Sequence, residues 1–232
     1  MLKGTIKPVD KFSQEEIASM YSLMAQFYDN TDEDVFRRDF YDKDYCLVLQ
    51  DENAVIVGFT TQKVIAVDVE GRTVHGVFSG DTIIHKDHWG ETELFRVWAR
   101  FWFDYAEKYD EFYWFLICKG YKTYRILPVF WEHFYPDYRR ETPSYEKKII
   151  DAYASALYPD EYNPESGVIE YKSQKDRLKS GVSDIGEHEM KNKDIAFFCN
   201  ANPGHTVGND IACLARINRT YMKKRTERLL FG

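Results

Sequence analysis

Thr73 to His85 alternates apolar and polar residues with a period of two. From Glu91 to Tyr109 the period becomes helical, with Leu94, Val97, Trp98, Phe101, Trp102 and Tyr105 on one broad face, and Phe112 to Cys118 is then apolar throughout. Strand, long helix and buried strand in that order predict a βαβ unit whose two strands run parallel through a right-handed crossover. Two more strand-like runs, Asp44 to Gln50 and Ala54 to Ala66, precede it. Their short polar connections, Asp51-Glu52-Asn53 and Asp68-Val69-Glu70-Gly71-Arg72, predict an antiparallel meander. The expected fold class is therefore α+β, a mixed central sheet with an antiparallel meander and one parallel strand, flanked by helices.

The flanks extend this frame. Lys3 to Val9 reads as an opening strand, and Ser13 with Glu16 three residues on has the spacing of a capping box. A helix from Gln14 to Tyr28 should bury Ile17, Met20, Leu23, Met24 and Phe27, and Asp32 to Tyr41 should form a second one. Gly80 interrupts the third meander strand, where a glycine marks a bulge or a close backbone approach. Beyond Cys118, a helix is expected around Val129 to Tyr135 with Pro128 in its first turn, and another from Glu146 to Leu157. Glu170 to Asp194 is nearly half charged and reads as a surface excursion. Ile195 to Asn200 and Asp210 to Ile217 read as a closing pair of strands around the turn-rich segment from Asn202 to Asn209. The whole is expected to be a single domain, residues 1–232, with a helical and charged insertion at about 140–193.

Composition removes several classes of function. Hydrophobic residues make up 44% of the 232 and charged residues 30%, enough apolar surface for a sizeable core. The longest stretch without Asp, Glu, Lys or Arg runs from Ile195 to Asn209 and is rich in turn residues, so no membrane span is expected. The first residues carry no apolar run of the signal-peptide kind, which points to a cytoplasmic location. A net charge of -7 argues against nucleic acid as a partner. Cys46, Cys118, Cys199 and Cys213 lie far apart in apolar runs and read as buried small hydrophobes; a nucleophilic Cys118 with His133 is the reactive alternative.

The order of elements resembles the GNAT superfamily of acyl-CoA-dependent N-acyltransferases, over about residues 1 to 140 and 194 to 217. In that family the acyl donor lies where the third meander strand and the parallel strand splay apart, and its pyrophosphate meets the start of the long helix. The resemblance therefore implies a donor site for acyl-CoA at Ile84, His85, Lys86, His88, Trp89, Gly90, Glu91 and Thr92, a helix N-terminus of the kind that attracts anions. Of the family's pattern, Gln or Arg, two residues, Gly, one residue, then Gly or Ala, the matching positions are Asp87, Gly90 and Thr92, so only the first glycine is kept. Asp87, Glu91 and Glu93 read equally as first-turn residues that complement the helix dipole. Phe134-Tyr135 looks like the family's Phe-Tyr pair, which implies Tyr135 as the acid that protonates the departing thiolate.

Acyl transfer to an amine also needs a group to take the amine's proton. Asp81, beside the Gly80 kink, is the first choice, ahead of His75 and Glu132; its alternative role is to satisfy backbone groups at the bulge. His85 and His88, with Glu91, have a ligand-like spacing, but no metal is expected. The basic residues Arg216, Arg219, Lys223, Lys224, Arg225 and Arg228 read first as a solvated helix face, and the aromatic stripe from Phe95 to Tyr105 as core, part of which lines an acyl pocket. The expected activity is transfer of an acyl group from a thioester to an amine of a small molecule or peptide. The alternative is a GNAT-like domain that binds or interacts without catalysis.

Overall fold

The computed structural model describes residues 2–172 and 175–232. Ser173 and Gln174, inside the charged stretch expected as an excursion, lie outside the described residues. Strand β1 (Lys3–Pro8) leads to helix α1 (Gln14–Phe27), whose capping box is closed: Glu16 N–H donates to Ser13 Oγ at 3.2 Å and Ser13 N–H donates to Glu16 at 2.8 Å. The five predicted apolar residues of α1 are all buried. A two-residue strand, β2 (Tyr28–Asp29), and helix α2 (Glu33–Tyr41), capped by Asp32, follow.

The meander is β3 (Tyr45–Gln50), β4 (Ile56–Val69) and β5 (Arg72–Ile84), antiparallel to one another in sequence order. The β4–β5 turn is tighter than the polar run implied. Val69 pairs with Arg72, and Glu70 and Gly71 carry positive φ of 55° and 76°, so Asp68 and Arg72 are strand residues facing water rather than loop. Helix α3 (Glu93–Ala106) then crosses over to β6 (Phe112–Cys118), which lies parallel to β5 as the periodicity required.

After β6 come short helices α4 (Tyr121–Tyr124) and α5 (Ile126–Phe130), strand β7 (Phe134–Tyr135), helix α6 (Ser144–Leu157), and strands β8 (Tyr162–Asn163), β9 (Val168–Ile169) and β10 (Arg177–Leu178). Helix α7 (Lys193–Ala201), strand β11 (Asp210–Arg216) and helix α8 (Lys224–Phe231) complete the chain. Two expectations are corrected here. The helix expected from Val129 to Tyr135 stops at Phe130, because Trp131 turns extended and its indole N–H donates to the Arg216 carbonyl at 3.0 Å; Phe134 and Tyr135 then pair with Ala215 and Leu214. Ile195 to Asn200 is helix, not strand. Asn192 caps it by accepting from Asp194 and Ile195 N–H, and Ile195 and Phe198 bury one turn apart. A short apolar run satisfies either period, and here the cap decides.

The main sheet runs β1-β3-β4-β5-β6-β11-β9-β8, with β7 also on β11, and β5/β6 is its parallel pair among the described residues. One face carries α3, α5 and α8, with Trp98, Trp102 and Trp131 against Val77, Trp114 and Cys213. The other face carries two separate apolar clusters. Helices α1 and α2 cover Val48, Phe59 and Ile83, and α6 covers Phe78, Phe115 and Leu214. Between those clusters the second face is polar, and that interval holds the candidate site. No helix among the described residues is long and apolar enough to cross a membrane.

Candidate functional site

The parallel pairing of β5 with β6 ends at Ser79 and Leu116. Beyond it each strand stays with its outer neighbour: Ile84 remains paired with Gly58 of β4, and Cys118 with Ile211 of β11. The sheet therefore opens between Thr82–Ile84 and the segment after Cys118. A cavity of about 580 Å³ fills the wedge, bounded by Ile84, Trp89–Thr92 and Phe95 on one side and by Gly120, Thr123, Ile126 and Phe130 on the other. Its lining is mostly apolar. At its rim Gly90 has φ of 98°, a left-handed turn that sets the start of α3, and the Thr92 side chain makes no capping hydrogen bond to that helix. Lys122 lies 3.7 Å over the Trp89 ring, and burial lowers the pKa of its ammonium.

Gly80 re-phases β5. Phe78 and Ile83, five residues apart, both face the α1/α6 side, which strict alternation forbids. The register of β4 against β5 shifts between Thr60 and Gln62, so Gly80 and Asp81 together oppose Thr61, a bulge of the kind the sequence suggested. A Cβ on Gly80 would stand 2.6 Å from Thr61 Oγ1 and 3.2 Å from Lys43 Cε. Gly80→Ala is therefore expected to destabilise the fold by about 1–3 kcal/mol, the cost of overpacking, as a lowered midpoint of urea unfolding.

The bulge delivers Asp81 into a second, polar cavity of about 130 Å³. Four carboxylates (Asp39, Asp81, Asp176, Asp210), three lysines (Lys43, Lys119, Lys175) and the rings of Tyr28, Phe78, Tyr158 and Tyr171 line it. Most of these charges are paired. Lys43 Nζ donates to Asp39 at 2.7 Å; Lys119 Nζ donates to Asp176 at 3.0 Å and lies 3.7 Å from Asp210; Lys175 Nζ lies 3.2 Å from Asp176. Tyr171 hydroxyl donates to Asp210 at 3.0 Å. Burial opposes the charge of Lys119, but Asp210 and Asp176 outweigh it and hold the ammonium above its ordinary pKa. Asp81 is the exception: among the described residues no hydrogen bond reaches its carboxylate. Burial, then the negative charges of Asp39 and Asp176, push its pKa up to about 7, against a smaller opposite pull from Lys43 and Lys175.

On the α3 side of the same strands runs a buried hydrogen-bonded chain. Trp98 Nε1 donates to Gln62 Oε1 at 3.0 Å, Trp114 Nε1 to Ser79 Oγ at 2.8 Å, and Ser79 Oγ to Gln62 Oε1 at 2.8 Å. Gln62 Nε2 donates to Thr60 Oγ1 at 2.8 Å, and Thr60 and Thr82 hydroxyls are 2.8 Å apart. Next to it is a small void of about 20 Å³ between Trp98, Trp114, Leu94 and Ile126. Thr82 and Thr123 line the void, the wedge and the polar cavity alike, so the three spaces meet at these two residues.

The structure brings Asp81 together with part of the expected donor turn. Ile84, Trp89, Gly90, Glu91 and Thr92 border the wedge. His85 and His88 face the opposite way, into a groove against α1, and Lys86 is exposed. The His85 and His88 rings are 6.2 Å apart, and no group of three or more possible metal ligands gathers among the described residues. Tyr135 stands on β7, three strand spacings from β5, roughly 14 Å, and is not brought to the wedge. His75 stacks on Tyr109 at the far end of the parallel pair, and Glu132 is exposed. Burial pushes the Cys118 thiol well above its ordinary pKa, and His133 pairs with Arg140, so the two form no nucleophilic couple. Of the aromatic stripe, Trp98, Trp102 and Phe103 are core and Phe95 lines the wedge. In the basic tail, Arg216 ends β11 and α8 buries Leu230.

The charged stretch from Glu170 to Asp194 is more than a surface excursion. Its strand β10 pairs with β2, Lys179 Nζ donates to the Ala25 carbonyl at 2.7 Å, and Leu178 packs at Gly120, so it bridges the end of α1 and the end of β6. Through Lys175 and Asp176 it forms one wall of the polar cavity. Lys43, Lys119, Asp39, Asp176, Asp210, Thr82 and Thr123 form no motif in the sequence; the one local signal is Lys119, a charge that directly follows an apolar strand.

No protein-family model matches the sequence, and no curated protein does. Solved structures similar to it include an Enterococcus faecalis V583 protein described as a probable N-acyltransferase, at 14% identity and TM-score 0.41, over 57% of this chain and 33% of that one. A GNAT family N-acetyltransferase from Escherichia coli in complex with CoA aligns at 13% identity and TM-score 0.38, over 56% of this chain and 69% of that one. Saccharomyces cerevisiae N-myristoyltransferase with bound myristoyl-CoA aligns at 13% and 0.39, over 51% and 29%. The chain thus spans about a third of the Enterococcus and yeast proteins. The order and direction of the strands, and the parallel β5/β6 pair that opens past Ser79 and Leu116, match the α+β mixed sheet expected from the sequence.

Proposed function

We propose that the protein is an acyltransferase that moves a short acyl group from acyl-CoA to a primary amine. The observation that carries this reading is the meeting of two unlike cavities at Thr82 and Thr123, an apolar wedge open at a helix start and a charged pocket holding a carboxylate without a hydrogen-bond partner among the described residues. The donor's pantetheine arm would lie in the wedge and its pyrophosphate at the turn Trp89–Thr92, where backbone N–H groups and Lys122 supply the positive charge. The small void beside Trp98 and Trp114 holds about one methyl-sized group, which favours acetyl over long acyl chains.

The acceptor would enter the polar cavity as an ammonium. Carboxylates there outnumber lysines by one, and Asp81 is the carboxylate left over. An amine without an acid group restores the balance, whereas an amino acid would bring an extra carboxylate into a site whose lysines are already paired. Asp81 takes one proton from the ammonium. The free amine attacks the thioester carbonyl, the C–N bond forms, the C–S bond breaks, and the second amine proton leaves with the thiolate as CoA thiol. The test is amine-dependent release of free CoA thiol from acetyl-CoA across a panel of simple primary amines and amino acids. Turnover with the amines and little with the amino acids is expected; release that no amine accelerates would refute transfer to an amine.

A further inference from the structure

The buried chain on the α3 side has a fixed direction. An indole N–H only donates, so Trp98 fixes which end of the Gln62 amide is oxygen. Ser79 already accepts from the Trp114 indole, and its own proton goes to the same oxygen. The Gln62 nitrogen therefore faces Thr60, and Thr60 Oγ1 must accept from it. Thr60 is 2% exposed, and Gln62 and Thr82 are its side-chain hydrogen-bond partners among the described residues. If Thr82 donated to it, Thr60's own proton would be buried without an acceptor. Thr60 thus donates to Thr82, and the Thr82 proton is left to point away from the chain. Thr82 borders all three cavities where they meet.

We infer that Thr82 is a catalytic hydrogen-bond donor to the thioester carbonyl oxygen, oriented by the chain Trp98–Gln62–Thr60. This rests on the acyltransferase reading above and names the group that stabilises its charge. As the amine adds to the carbonyl carbon, the electron pair of the C=O bond moves to oxygen, and the Thr82 hydroxyl, already turned outward, meets the growing negative charge without reorganisation. When the C–S bond breaks the pair returns, and Thr82 keeps its proton throughout. Gln62 and Thr60 are positioning residues, since they act through Thr82.

The carbonyl stretch of [1-13C]acetyl-CoA bound to the protein reads this hydrogen bond directly and needs no acceptor. In the wild type the labelled band is expected at lower wavenumber than in Thr82→Val, and Thr82→Ser is expected to restore it. With an amine that turns over, Thr82→Val should lower kcat by about 10²–10³-fold, the usual loss for one oxyanion donor, with little change in KM for acetyl-CoA. Melting curves of each variant separate this from misfolding, and the serine variant keeps the test open should valine unfold the protein. If acetyl-CoA binds and its band is the same in wild type and Thr82→Val, the assignment of Thr82 is overturned while the donor site stands. If the wild type shows no bound band at all, both readings fall.

Discussion

Asp81→Asn is expected to lower amine acylation by about 10²–10⁴-fold, the range in which a positioned general base contributes. The wild-type rate should fall on the acid side of about pH 7, where burial and the charges of Asp39 and Asp176 set the Asp81 pKa. The same substitution should stabilise the fold, and the sign follows from linkage. The Asp81 pKa rises from 3.8 in the unfolded chain to about 7 in the folded one. Its contribution is therefore fully present below pH 3.8 and is lost as pH rises through about 7. At pH 8 Asp81→Asn should be more stable than wild type, by on the order of 4 kcal/mol at most, and near pH 4 the difference should vanish. Activity profiles together with urea unfolding at the two pH values check both halves. A carboxylate that served only to satisfy the bulge backbone would give a loss of stability instead.

The second large effect is expected at Lys119. Its ammonium lies between Asp176 and Asp210 with a side-chain exposure of 10%, and Asp210 is 2% exposed. Lys119→Met removes the positive charge and keeps the length of the stem, leaving the buried Asp210 without its ammonium and Asp176 with Lys175 alone. Breaking a buried ion pair in this way costs about 3–5 kcal/mol. The loss should be greatest at high pH and ease as the pH falls and Asp210, whose pKa burial already raises, takes up a proton, which urea unfolding as a function of pH would reveal. Because Lys119 holds Asp176, and Asp176 belongs to the segment that walls the polar cavity, amine turnover should fall as well.

These two positions differ in how far the sequence disclosed them. The fold frame was legible because the switch from period two to period 3.6 and then to a wholly apolar run leaves one arrangement for β5, α3 and β6. Asp81 was legible because a glycine broke an otherwise regular strand beside it. Lys119, Lys43, Asp39, Asp176 and Asp210 come from separate segments with no spacing to link them. Lys43, inside Asp42-Lys43-Asp44, reads as a solvated charge, yet its side chain is 3% exposed against Asp39 and the Phe78 ring. The stretch around Asp176 reads as surface because charge density usually means water, whereas in the fold its charges meet Lys119 just after β6. Ile195 to Asn200 reads as strand because six residues fit both periods, and the deciding cap, Asn192, lies just before them. The direction of the chain that ends at Thr82 was beyond sequence altogether, since it depends on which atoms face each other across three strands and a helix.

The central claim is that the wedge between β5 and β6 receives an acyl-CoA, and thermal unfolding of the full chain with CoA, acetyl-CoA and longer acyl-CoAs tests it most directly. A ligand at about 100 times its dissociation constant adds about 2.7 kcal/mol, which for a chain of this size raises Tm by roughly 5–10 °C. CoA and acetyl-CoA are expected to produce such a rise, and Gly90→Val, which strains the φ of 98° at the rim, to abolish it. No rise with any CoA at millimolar concentration would contradict the account.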